Sequence, residues 1–98
     1  MLYAIYVDMA RQLTAQERSA VADALEAHVP SGGCVGLQKG PNDEVYFDVE
    51  ASSDEEAEAL AARYISLVLQ TAGLDEEYTI TLQTTDGGFR NWTSHFLN

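Results

Sequence analysis

Glu44-Val45-Tyr46-Phe47-Asp48-Val49-Glu50-Ala51 alternates cleanly between two sets of side chains. Val45, Phe47, Val49 and Ala51 fall on one side of an extended chain. Glu44, Tyr46, Asp48 and Glu50 fall on the other. A period of two marks a strand with one face in a core. The stretch reads as a central strand whose second face defines what the protein can bind.

The elements around it follow from the same arithmetic. Upstream, Cys34 to Lys39 is a second, weaker strand, with Val35 and Leu37 alternating against Cys34, Gly36 and Gln38. Its small residues suit an edge or a close backbone approach. Gly40-Pro41-Asn42-Asp43 has the chemistry of a turn, so the two strands should pair antiparallel. Leu2 to Asp8 is another strand, with Tyr3, Ile5 and Val7 on one face and Leu2, Ala4, Tyr6 and Asp8 on the other.

Thr14 and Glu17 form a capping box, and a helix should follow to about His28. Val21, Ala22, Leu25 and Val29 make its inward stripe. Pro30 and Gly32-Gly33 end it. Downstream of the opening strand, Ser53 and Glu56 form a second capping box. Asp54, Glu55, Glu56 and Glu58 crowd the first turns of the next helix, where the helix dipole favours negative charge. Ala57, Leu60, Ala61, Tyr64, Leu67, Val68 and Ala72 give it an apolar face, and Gly73 stops it, with Leu74 as an apolar contact.

Asp75-Glu76-Glu77 is a short charged connection to a fourth strand, Tyr78 to Thr84, with Tyr78, Ile80 and Leu82 inward. Asp86-Gly87-Gly88 is a strong turn signal. The tail holds Phe89, Arg90, Trp92 and Phe96. It fits a returning hairpin strand or a helical turn, and its Thr, Trp and Phe content favours the strand.

The resulting order, βαββαβ, is that of a ferredoxin-like α+β sandwich: a four-stranded antiparallel sheet with two helices on one face. Residues 1–85 form this single domain, and residues 86–98 form a C-terminal extension packed on it. The tail would cover the chain's own open sheet face or a helix edge, or form an interface.

Composition bounds the function. The 98 residues carry 16 acidic against 5 basic side chains, a formal charge of −11. Such a surface repels phosphate backbones and anionic headgroups. Two aromatics on central strands, Tyr6 and Tyr46, would suit base stacking. The carboxylates Asp8, Asp48 and Glu50 among them argue against nucleic acid. About 46% of residues are hydrophobic, enough for a packed core. The single cysteine, Cys34, gives no intrachain disulfide and no cysteine zinc cluster. No signal peptide or membrane-spanning run is evident, so a cytoplasmic setting is expected.

No catalytic, cofactor or metal set emerges. Cys34 and His28 flank one loop, but nothing else completes a nucleophilic site. The expected function is that of a small, acidic, non-enzymatic protein-binding domain acting on a basic partner surface. One version is an inhibitor that mimics nucleic acid. Asp54, Glu55, Glu56, Glu58, Asp75, Glu76, Glu77, Arg90, Trp92 and Phe96 are the expected contact residues. A second candidate site is the sheet face bearing Tyr6, Asp8, Tyr46, Asp48 and Glu50. The alternative function is a dimeric α+β barrel that binds or transforms a small molecule between paired sheet faces. A homodimer is compatible with both.

Overall fold

A computed structural model describes residues 1–37, 42–84 and 86–95. Seven elements follow in order: β1 (Leu2–Met9), α1 (Ala15–His28), β2 (Gly33–Leu37), β3 (Asp43–Glu50), α2 (Asp54–Ala72), β4 (Glu77–Gln83) and β5 (Phe89–His95). The strands make one antiparallel sheet in the order β2-β3-β1-β4-β5. The fold is α+β. The order of the first four strands, with helices interleaved, is compatible with a ferredoxin-like arrangement.

Alternation in the sequence becomes alternation in burial. Tyr3, Ile5, Val7 and Met9 of β1 are buried, as are Val45, Phe47 and Val49 of β3 and Tyr78, Ile80 and Leu82 of β4. The register stacks them in rows, with Ile5 between Phe47 and Leu82, and Val7 between Val45 and Ile80. Val21, Ala24 and Leu25 of α1 and Ala57, Ala61, Ile65, Val68 and Leu69 of α2 join the same core cluster. Both helices therefore cover one face of the sheet. The fully buried Phe47 meets the ring of Tyr64 edge-on at 6.4 Å. Burying such a side chain stabilises the fold by roughly 1.5–3 kcal/mol.

Helix α1 starts as its sequence requires. Thr14 accepts from the N–H of Glu17 at 3.1 Å, and Glu17 accepts from the N–H of Thr14 at 2.8 Å. Its buried stripe differs from expectation by one position. Ala24 is inside and Ala22 is exposed, because the packed residues recur at i, i+3 and i+4 from Val21.

The capping box of α2 is only half formed. Ser53 accepts from the N–H of Glu56, but Glu56 reaches back to the N–H of Ser52 instead of Ser53. The inward stripe of α2 runs at four-residue spacing through Ala57, Ala61, Ile65 and Leu69. This brings in Ile65 and Leu69 and leaves Leu67, expected inside, 37% exposed. Gly73 ends the helix with φ of 77°, and the N–H of buried Leu74 donates to the carbonyl of Leu69. That is the Schellman pattern its sequence promised.

Two further differences concern boundaries. Strand β2 covers Gly33–Leu37 and lies at a sheet edge. Gln38 and Lys39, and Gly40 and Pro41 of the expected turn, lie outside the described residues. Asp43 is not a turn corner; it opens β3 and is 1% exposed.

The tail forms strand β5, paired with β4 along its length from Glu77 opposite His95 to Gln83 opposite Phe89. It extends the sheet sideways, so through His95 it does not cross the open face. Phe96 lies outside the described residues. The hairpin that turns the chain is held by the N–H of Thr84 donating to the carbonyl of Gly88, by a hydrogen bond from Thr84 to Asp86, and by φ of 87° at Gly87.

Candidate functional site: an acidic tyrosine face on the open side of the sheet

The sheet side away from the helices is built from the even-numbered residues of β1, β2 and β3. On β4 it presents Thr79 and Thr81. Antiparallel pairing lines them up in rows. One row reads Cys34, Tyr46, Tyr6, Thr81; the next reads Gly36, Glu44, Asp8, Thr79. Asp48 stands opposite Ala4, and Glu50 opposite Leu2. The two tyrosines thus face each other at the middle of the sheet. Their rings lie 5.1 Å apart and tilted by 56°, within the range of favourable aromatic pairs.

The neighbours of Tyr46 fix its chemistry. Its hydroxyl donates to Asp48 Oδ1 at 2.8 Å. The two residues are separated by one position on the same strand, so they share a face. This hydrogen bond, with burial and the negative charge of Asp48, pushes the Tyr46 hydroxyl up to about 12. It stays protonated at neutral pH and serves as a donor that orients Asp48. Asp8 and Glu44 stand directly opposite one another on β1 and β3, an arrangement in which like charges repel. No Lys or Arg stands on this face among the described residues of β1, β2, β3 and β4.

Small hollows lie on and beside this face. Asp48 lines two hollows, of about 190 Å³ beside Ala4 and Gln83 and about 120 Å³ beside Pro30 and Tyr64. Asp8 lines a third, of about 150 Å³, with Asn42 and Thr79. Each is smaller than the roughly 300–1,000 Å³ of pockets that enclose small molecules.

The acidic residues expected to contact a partner fall into two groups. Asp54, Glu55, Glu56 and Glu58 lie at the start of α2, and Asp75, Glu76 and Glu77 lie beyond its end. A helix of 19 residues spans about 28 Å at 1.5 Å per residue. Several of these acids also have local structural roles. Asp54 accepts from the buried Tyr3 hydroxyl at 2.9 Å. Glu56 accepts from the N–H of Ser52 at 2.9 Å. Glu76 is bridged by Arg11 to Glu17, at 2.8 and 2.7 Å. On β5, Arg90 and Trp92 pair by register with Leu82 and Ile80.

Two charged groups escaped the sequence reading. Asp43 accepts from the N–H of Leu13 at 2.7 Å and from Arg18 Nε at 2.9 Å, tying the start of β3 to α1. Arg11 joins the β1–α1 connection, α1 and the α2–β4 connection through its two glutamates. Its guanidinium holds Glu17 down to about 2, assisted by the N–H of Thr14. Neither node has a sequence spacing that announces it, since each includes a contact between distant residues, 25 apart for Arg18 and Asp43 and 65 apart for Arg11 and Glu76.

His28 and Cys34 do not form a pair. The His28 imidazole meets the Thr71 hydroxyl at 2.9 Å in the helix layer. Cys34 is exposed and stands opposite Tyr46, on the open side. Among the described residues, no three His, Cys, Asp or Glu side chains are grouped to hold a metal ion. No described helix is long and apolar enough to cross a membrane. No protein-family model, curated protein or solved structure matches this chain.

Proposed function

We propose that the chain is a ferredoxin-like domain, widened by β5, whose open sheet face docks a basic protein surface without catalysing a reaction. The observation that carries this reading is the Tyr6–Tyr46 pair set among Asp8, Glu44, Asp48 and Glu50. Aromatic rings beside carboxylates suit arginine: the guanidinium lies over a ring and its N–H groups reach the acids. Tyrosine is also a residue type that dominates binding hot spots. The same charge that attracts a basic protein repels nucleic acid. A partner that itself binds nucleic acid would carry the complementary surface, which makes competitive inhibition by charge mimicry a natural use of this face. The free thiol of Cys34 fits a reducing compartment such as the cytoplasm.

A barrel-like dimer with the two open faces apposed is less well supported. It would place Asp8, Glu44, Asp48 and Glu50 of both copies in a low-dielectric space, where each charge costs several kcal/mol unless neutralised.

Capture from the native cell with three forms of the protein tests the proposal. A specific basic protein should be retained by the wild type and by Glu55→Lys/Glu58→Lys, and lost by Asp48→Lys. Loss with the helix variant and retention by Asp48→Lys would move the site to the start of α2. Retention of chaperones alone would count against a binding function.

A further inference from the structure

We propose that the hollow over Ala4 seats the side chain of one arginine of the docked partner, held between Asp48 and Gln83. The proposal rests on the docking reading above and deepens it, by naming a single anchor within the acidic face.

The hollow follows from the register. Asp48 of β3 stands opposite Ala4 of β1. Ile5 pairs with Leu82, so Ala4 comes level with Gln83 at the end of β4. These three side chains share the open side of the sheet. Ala4 is the smallest residue that β1 places there, beside Leu2, Tyr6 and Asp8. A low floor between two longer side chains leaves the hollow of about 190 Å³ that Ala4, Asp48 and Gln83 help to line. Neighbouring strands lie about 4.8 Å apart, which sets the two walls roughly 10 Å apart at the backbone. A group seated over Ala4 therefore has a polar wall on each side.

The walls select arginine. The Tyr46 hydroxyl donates to Asp48 Oδ1 at 2.8 Å and fixes the carboxylate. Among the described residues no other donor reaches that carboxylate. A guanidinium pairs with a carboxylate through two parallel N–H···O bonds. Its remaining N–H groups lie on another edge of the same plane, where the Gln83 amide oxygen can accept them. A lysine ammonium is a compact point charge with no second edge, so it meets one wall only. The Met1 ammonium at the rim is already engaged by Glu50 and by the carbonyl of Ala51, at 2.9 and 3.1 Å. The chain's charge of −11 draws a basic group toward this face, and the hollow gives one such group a fixed seat.

Two capped peptides of equal charge, one of six arginines and one of six lysines, test this when titrated into the full chain and followed by amide NMR. The wild type should bind the arginine peptide on the order of tenfold more tightly than the lysine peptide. The difference between the two should be largest at the amides of Ala4, Asp48 and Gln83. Ala4→Leu fills the hollow and leaves every charge in place, and it should bring the two peptides to equal affinity. Gln83→Ala, at an exposed position, removes one wall and should narrow the preference with the fold intact. Equal affinity of the wild type for both peptides, or a preference undiminished in either folded variant, would overturn the anchor and leave docking by charge standing. A wild type that binds neither peptide would overturn the docking reading itself, and the anchor with it.

Discussion

Asp43 shows how much one residue can carry without a sequence signal. It lies in a run that has every mark of a turn, Gly40-Pro41-Asn42-Asp43. Yet its side chain is 1% exposed and holds both the Leu13 N–H and Arg18. Removing one partner of a buried ion pair leaves the other charge uncompensated. Asp43→Ala should therefore destabilise the fold by about 3 kcal/mol in urea unfolding, a large share of the stability of a small domain. A loss below about 1 kcal/mol would place Asp43 among ordinary surface carboxylates. Tyr46 differs: its alternation with Phe47 was plain in the sequence, and so was its place on the open face. Its hydrogen bond to Asp48 follows from the same period of two, since residues two apart on a strand are neighbours.

At the level of elements, the strands were more legible than the helices. A strand has two faces, and a polar–apolar alternation decides between them at once. A helix has a continuous periphery, and an apolar residue at its margin can fall on either side. That is why Ala22 and Leu67 lie outside while Ala24, Ile65 and Leu69 lie inside. The tail was ambiguous for a related reason. Phe89, Trp92 and Phe96 fit helical spacing as well as a hairpin, and pairing with β4 decided the matter.

Helix α1 also has a pH signature. Glu17 is held at about 2, below its ordinary 4.5, chiefly by the hydrogen bond from Arg11. A depressed carboxyl contributes stability that is fully present above about pH 4.5 and is lost as pH falls toward 2. The stability advantage of the wild type over Glu17→Gln should accordingly be largest near neutrality and shrink through that window. Unfolding curves collected between pH 7 and 2 measure it. A gap that stays constant with pH would show that the Arg11 bridge does not set the Glu17 ionisation.

For the whole molecule, charge and architecture point the same way. The helices close one side of the sheet with a continuous apolar core, and the other side is left with tyrosines and carboxylates. Two of the five basic residues, Arg11 and Arg18, are engaged in internal ion pairs with Glu17, Glu76 and Asp43. The sequence showed that the chain was acidic and had an open face. It did not show that Asp54 anchors the Tyr3 hydroxyl, nor that Glu76 is bridged by Arg11. Those are long-range contacts, invisible to local spacing. The docking surface we propose is accordingly the sheet face and not the helix ends.

The most direct test of that claim is an amide NMR titration of the full chain with an arginine-rich peptide, repeated at raised salt. Shifts should concentrate at Tyr6, Asp8, Tyr46 and Asp48 and weaken as salt screens the attraction. Shifts gathered instead at residues 54–58 or 75–77, or spread evenly over the acidic surface, would contradict the account.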